Sequence, residues 1–283
     1  MRSSLSILVI FQLIFLQQSH HVQSAHSRRR IVFRQERPRY DRSITTFSPD
    51  GRLKQVEYGM EATLRGSPVA AIQSEHGICF LVQNSSHGKV HRLDDHMWLV
   101  TAGLSGDARF MAKYLREYCQ QIRLSYGEPP LASEIARQAA DFQHRLTRVG
   151  GVRPFGCTAM VLGIDPPQDG SELGTPRLFE TDPGGIIEER QFCSAGKGRL
   201  RTTKALQSLM EDKQASQASS ITELANVMTK AIWKELEDSK KLTSDVWTIV
   251  PHADRRGGQK ATCYRNVSKE MFSQITENDD QPS

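Results

Sequence analysis

The order of apolar patterns along the 283 residues predicts an α+β fold in which two sheets lie between helix layers, a four-layer αββα sandwich. Short apolar runs of strand length come first, then two helical patterns, then strands again, two more helical patterns and a closing strand. Helices paired in this way cannot alternate one by one with parallel strands, which argues against a doubly wound sheet; two sheets covered by helices bury every apolar face. The length supports one sizeable core or at most two small ones, and the apolar (38%) and charged (24%) fractions are those of an ordinary globular domain.

The elements follow in order. Arg2, an apolar stretch from Leu5 to Leu16, and the small residues Ser24 and Ala25 have the length and order of a secretory signal peptide, so 1–25 reads as a leader. An Arg-rich segment, 26–39, follows and could be a second address, as for a plastid inside extra membranes. The competing reading is a misassigned start ahead of a conventional cytosolic chain, and the residues leave both open. The body is 40–270. In it, Ser48-Pro49-Asp50-Gly51 is a tight turn, with Pro presetting φ and Gly accepting a positive one. Leu53, Val56, Met60 and Leu64 then recur at helical spacing, so a helix leaves the turn directly. Val69–Ile72, Ile78–Val82 and Met97–Thr101 read as strands. Phe110, Tyr114, Tyr118 and Ile122 mark one helix face, and Ile135, Ala139, Phe142 and Leu146 another, with Pro129-Pro130 between them. Strands resume at Cys157–Ile164, Leu178–Thr181 and Phe192–Ala195, with a polar loop at Pro166–Gly174. Helices are predicted at Leu200–Met210 and Thr222–Leu236, a last strand at Val246–Val250, and a disordered acidic tail over 271–283.

Charge and cysteines narrow the function classes. Seven Arg and one Glu precede Tyr40, giving +6, so the formal +5 of the whole leaves −1 for the rest. The body carries no basic stripe with interleaved aromatics, and a nucleic-acid role has little support. Cys79, Cys119, Cys157, Cys193 and Cys263 are widely spaced and form no C-x-x-C pair, so they read as buried thiols rather than disulfides or zinc ligands. No histidine pair has metal-binding spacing on a helix, and no metal or other cofactor is expected.

The run Tyr40 to Tyr58, YDRSITTFSPDGRLKQVEY, resembles the amino-terminal signature of proteasome α-type subunits. Collinear with it, Gly103-Leu104-Ser105-Gly106-Asp107-Ala108-Arg109, Gly151-Val152-Arg153-Pro154-Phe155-Gly156 and Leu178 to Gly184 are similar to further segments of that family. Each also has a plain structural reading: Asp107 a helix-starting residue, Arg153 an anchor for loops, Asp182-Pro183-Gly184-Gly185 a hairpin turn. The resemblance implies the fold of N-terminal-nucleophile hydrolases. It also implies a noncatalytic subunit of the core particle's outer ring, gating substrate access and docking activators in ubiquitin-dependent degradation, in cytoplasm and nucleus. Partners would be other α subunits, β subunits and an activator or regulatory complex.

The same resemblance assigns residues. Tyr40, Asp41, Pro49 and Tyr58 match the gate-supporting cluster. Lys89, a few residues before Asp94-Asp95, stands where many α-type subunits carry a lysine that accepts an activator's terminal carboxylate, with Gly66 and Leu104 lining the same pocket. The plain alternative for Lys89 is a solvated surface residue. Catalytic relatives use an amino-terminal Thr after a Gly, with supporting Lys and Asp. Gly66-Ser67-Pro68 occupies that place, and the stretch Gln83 to Gly88 is polar and shortened, which puts the local sheet in doubt. The alternative function is an active N-terminal-nucleophile peptidase of threonine or serine type; a third is an interaction module that kept the fold and lost the ring.

Overall fold

Val69–Ser74 (β1) and Gly77–Gln83 (β2) are apolar at successive positions, because each of their faces has something to bury against. One set of alternate side chains, Val69, Ala71, Ile78 and Phe80, packs toward Trp98, Val100, Met160 and Leu162 of a second sheet. The other set, Ala70, Ile72, Cys79 and Leu81, packs on a helix layer through Leu206, Leu209, Met228 and Ile232. The second sheet repeats the arrangement: Met97, Leu99 and Val161 turn away from the first and meet Met111, Leu115 and Ile135 of the opposite helix layer. The result is helices, sheet, sheet, helices, as the sequence predicts. In this computed structural model, residues 41–83, 88–167, 174–212, 214–235, 244–253 and 259–267 are described.

The remaining strands are Val90–Asp94 (β3), Met97–Gly103 (β4), Cys157–Asp165 (β5), Thr175–Thr181 (β6), Ile187–Glu189 (β7), Phe192–Ala195 (β8), Ser244–Ala253 (β9) and Gln259–Val267 (β10). The first sheet runs β10-β9-β2-β1-β8 and the second β3-β4-β5-β6-β7, with antiparallel pairing throughout. The helices are Lys54–Leu64 (α1), Ser105–Tyr126 (α2), Ala132–Leu146 (α3), Arg199–Glu211 (α4), Gln214–Gln217 (α5) and Ile221–Glu235 (α6).

Several expectations change. Along α2 the buried stripe is Ala108, Met111, Ala112, Leu115 and Cys119; Phe110, Tyr114, Tyr118 and Ile122 flank it, half-buried or exposed. Ala108, Ala112 and Cys119 are small and let the helix approach the sheet, while the rings fill the seam with α3, where Phe142 stacks on Tyr114 at 4.4 Å and on Phe110 at 6.0 Å. The doubtful region after β2 supplies a strand nonetheless, since β3 pairs with β4 through a bulge between Arg92 and Asp94. Strands β3, β7 and β10, and the single turn of α5, are absent from the sequence reading. The three strands lie at sheet edges, and β3 and β7 bury few side chains, so they show no apolar run. The leader 1–25, the segment 26–39, the tail 271–283 and most of the loop after β5 lie outside the described residues. Among those described, no helix is long and apolar enough to cross a membrane.

Candidate functional site

The predicted elbow forms as read. Gly51, at φ 74°, donates its N–H to the Ser48 carbonyl at 2.8 Å, and the Ser48 N–H in turn donates to the Arg52 carbonyl at 2.9 Å. Pro49 sits inside this turn, and α1 starts three residues after Gly51. The segment ahead of the turn is tied back to the helix, because the Gln55 amide donates to the Asp41 carbonyl. Tyr58 is 49% exposed on α1; Tyr40 lies outside the described residues. A Cβ on Gly59 would fall 3.1 Å from the Phe155 carbonyl and 3.4 Å from Pro154 and Pro183, so α1 lies closely over the loop before β5 and the β6–β7 turn.

Beyond α1 the chain enters a corner made of peptide groups. A Cβ on Gly66 would sit 2.3 Å from the Gly103 nitrogen; one on Gly103, at φ 122°, would sit 2.1 Å from the Gly156 carbonyl; one on Gly196 would sit 2.5 Å from the Ser67 carbonyl. Three glycines, Gly66, Gly103 and Gly196, therefore let the chain after α1, the end of β4, the start of β5 and the end of β8 touch backbone to backbone. Hydrogen bonds close the contact: Lys197 N–H to the Gly66 carbonyl at 2.7 Å, Gln83 N–H to the Pro68 carbonyl at 3.0 Å and Leu104 N–H to the Gly156 carbonyl at 2.9 Å. Sequence reasoning singled out Gly66 alone. Glycines falling at the ends of two predicted strands, Gly103 and Gly196, were the signal for the rest.

Lys89 reaches this corner. Its Nζ donates to the Ser67 carbonyl at 3.0 Å, its own carbonyl accepts from Thr101 N–H at 2.9 Å, and the neighbouring Gly88 lies against Ser105 at the start of α2. The structure thus brings Lys89, Gly66 and Leu104 to one place, with Leu104 46% exposed. Burial with no countercharge pulls the Lys89 amine down to about 8. Such a half-buried cation among carbonyls and glycines can accept a carboxylate. His91, two residues on, places Nε2 3.1 Å from the Gly88 carbonyl and is lowered by burial and by Arg116 and Arg109, against the raising effect of that bond.

Asp107 stands in the first turn of α2, as its position suggests, but its side chain does not cap the helix. Leu104 occupies the cap without a side-chain bond, and the Asp107 carboxylate instead accepts two bonds from Arg153, both at 2.7 Å, and one from Gly156 N–H at 2.9 Å. Burial alone would raise its carboxyl; Arg153 and Gly156 outweigh that and hold it below the usual range. Arg153 anchors its loop as expected, and the Asp182 turn is closed by Gly185 N–H to the Asp182 carbonyl at 2.9 Å. The five thiols are free, four of them buried, and burial pushes Cys119, Cys157 and Cys263 up to about 12, so none is a ready nucleophile. Among the described residues no group of His, Cys, Asp and Glu could hold a metal.

Comparison with known proteins bears on the whole arrangement. Residues 64–250 match the family described as proteasome subunit, and residues 40–62 match the family described as the N-terminal signature of A-type proteasome subunits. The chain is 37% identical to the proteasome subunit alpha of Archaeoglobus fulgidus over 174 residues, 58% of this chain and 68% of that protein. It is 32% identical to the proteasome subunit alpha of Methanopyrus kandleri over 245 residues, 83% and 93% of the two chains. With proteasome subunit alpha 2 of Haloarcula marismortui the identity is 37% over 189 residues, 64% and 73%.

Proposed function

The chain belongs to the proteasome subunit family as an α-type member, and from that premise we propose that it is a noncatalytic subunit of the core particle's outer ring that gates substrate access and docks activators. The observation that carries this reading is the corner at Ser67. A nucleophile of this fold needs a free α-amine as its base. Ser67 would gain that amine only by a cut after Gly66, and such a cut would remove α1, which is packed through Gly59 onto the Pro154–Phe155 loop. The nearby Lys89 amine is bonded to the Ser67 carbonyl and so offers its charge to an incoming group. Asp41, Pro49 and Tyr58, with Tyr40 ahead of them, support the gate: the turn fixes where the preceding tail leaves the ring. Other α subunits, β subunits and an activator are the partners, in ubiquitin-dependent degradation in cytoplasm and nucleus.

The test uses reconstituted particles. Deleting the chain up to Arg39 should raise basal hydrolysis of small peptides, and Asp41→Ala should weaken activator-stimulated opening while assembly persists. Unchanged peptide access in both would end the gating role. A second reading, an active peptidase subunit, draws on the closeness of Lys89 to Ser67. It requires the native mature protein to begin at Ser67, which sequencing of that amino terminus decides. The same measurement tests whether 1–25 is removed as a secretory leader.

A further inference from the structure

Gly156 is gripped through both its N–H and its carbonyl by the start of α2. The Asp107 carboxylate accepts the N–H at 2.9 Å, and the Leu104 N–H donates to the carbonyl, also at 2.9 Å. The Leu104 side chain lies on the same residue, since a Cβ on Gly156 would fall 2.8 Å from Leu104 Cδ1 and 3.0 Å from the Ala62 methyl of α1. Leu104 is therefore tied to Gly156 by main chain and side chain together, while nearly half of it stays open to a visitor.

What fixes Gly156 is Asp107, and what fixes Asp107 is Arg153. Both terminal guanidinium nitrogens reach the carboxylate at 2.7 Å, and Nη1 also donates to the Pro154 carbonyl at 3.0 Å, which draws the loop before β5 into the same clasp. Other carboxylates near the corner are spent elsewhere: Asp94 on Arg123 at 2.9 Å, and Asp245, opposite Val82 of β2, on Arg265. A buried ion pair is a poor way to gain stability over apolar packing of similar volume. A two-pronged one adds a fixed geometry.

We propose that Asp107 and Arg153 are positioning residues of the docking site, acting through Gly156 to set the Leu104 wall beside Lys89 without touching the visitor, an inference that rests on the docking reading of Lys89. Loss of the clasp leaves Gly156 held at its carbonyl alone, and Leu104 then shifts with the loop. Lys89 keeps its place. The Ser67 segment beneath it is held separately, by Lys197 N–H on the Gly66 carbonyl at 2.7 Å and Gln83 N–H on the Pro68 carbonyl at 3.0 Å.

The experiment measures binding of a short neutral peptide ending in a free carboxylate, with its amidated twin as control, to reconstituted particles. Arg153→Lys, which keeps the charge and gives up the two-pronged bond, should weaken the acid peptide about threefold, and Asp107→Asn about tenfold. On a Leu104→Ala background both losses should shrink below about twofold, because the wall they position is gone, whereas on a Lys89→Arg background they should persist in full. A clasp serving stability alone would not give this pattern, since a loss of fold or assembly follows Asp107→Asn on every background. If Asp107→Asn particles fail to assemble, Arg153→Lys with Leu104→Ala completes the cycle. Unchanged affinity in the clasp variants, or losses of equal size with and without Leu104, overturns the proposal and leaves docking at Lys89 standing. A wild-type affinity that ignores the terminal carboxylate, or that survives Lys89→Ala, overturns the docking reading, and the proposal falls with it.

Discussion

Arg153 and Lys89 both reach the junction of β4 and α2, and they are held in opposite ways. Arg153 lies on a buried carboxylate that also accepts a backbone N–H, so charge is balanced and every acceptor is used. Lys89 lies on a single carbonyl, with its charge uncompensated and its surroundings dry enough to lower it. A balanced pair fastens a loop and has little left to offer a visitor. An unbalanced, half-buried cation costs stability where it sits, a cost that the docking role proposed for Lys89 accounts for.

The largest effect should come from breaking the balanced side. Asp107→Ala leaves Arg153 and the Gly156 N–H without their acceptor and should lower stability by about 3 kcal/mol in chemical denaturation. Because the folded carboxyl titrates below its unfolded value, its contribution is present above about pH 4 and is lost as pH falls through the folded value. Asp107→Asn should therefore flatten that acid limb. If Asp107→Ala costs no more than a surface change, the clasp is ornamental and the comparison collapses.

The unbalanced side should show its effect in binding. Lys89→Ala should weaken an activator's carboxy-terminal peptide by about 1.5 to 3 kcal/mol, with partial rescue by Arg, whose planar fork suits the corner less well. Titration calorimetry that finds equal affinity returns Lys89 to an ordinary surface lysine. Stability should move the other way and by less. Between about 8 and 10.5 the unfolded chain binds the proton that folded Lys89 has released, so stability rises with pH across that window, and at neutral pH the charged form is a burden. Lys89→Met should thus be more stable at neutral pH by less than about 1 kcal/mol, after screening at a half-exposed site, and the gain should vanish above the window. Smallest of all is Ser67→Ala, which keeps the carbonyl beneath Lys89 and should leave peptide hydrolysis unchanged; a hundredfold loss, on the order expected for a missing nucleophile, would reverse the noncatalytic reading.

Much of this was legible in the chain because burial writes periodicity. β1, β2, β4, β5 and β8 are apolar runs whose two faces meet different cores, and Phe192–Ala195 begins and ends where the pattern says. The aromatic row of α2 misled, since large rings signal apolar surface without saying whether it meets a sheet or the next helix. Edge strands such as Ile187–Glu189 bury nothing and left no pattern to read. At the site, Lys89, Gly66 and Leu104 came from resemblance, and the fold brings them together. What sequence could not supply was the missing countercharge, which depends on where Asp94, Asp107 and Asp245 spend theirs.

The three backbone-facing glycines of the corner carry a consequence for how proteins of this kind can diversify. A wall made of main-chain amides has no side chains to exchange, and a methyl group added at Gly66, Gly103 or Gly196 collides with backbone that cannot step aside. Duplicated copies of a gene for this chain would inherit the wall unchanged, however far their surfaces drift. Under the docking role proposed for Lys89, preferences among visitors would then have to be rewritten at Lys89 and Leu104, side chains that can change while the backbone beneath them stays fixed.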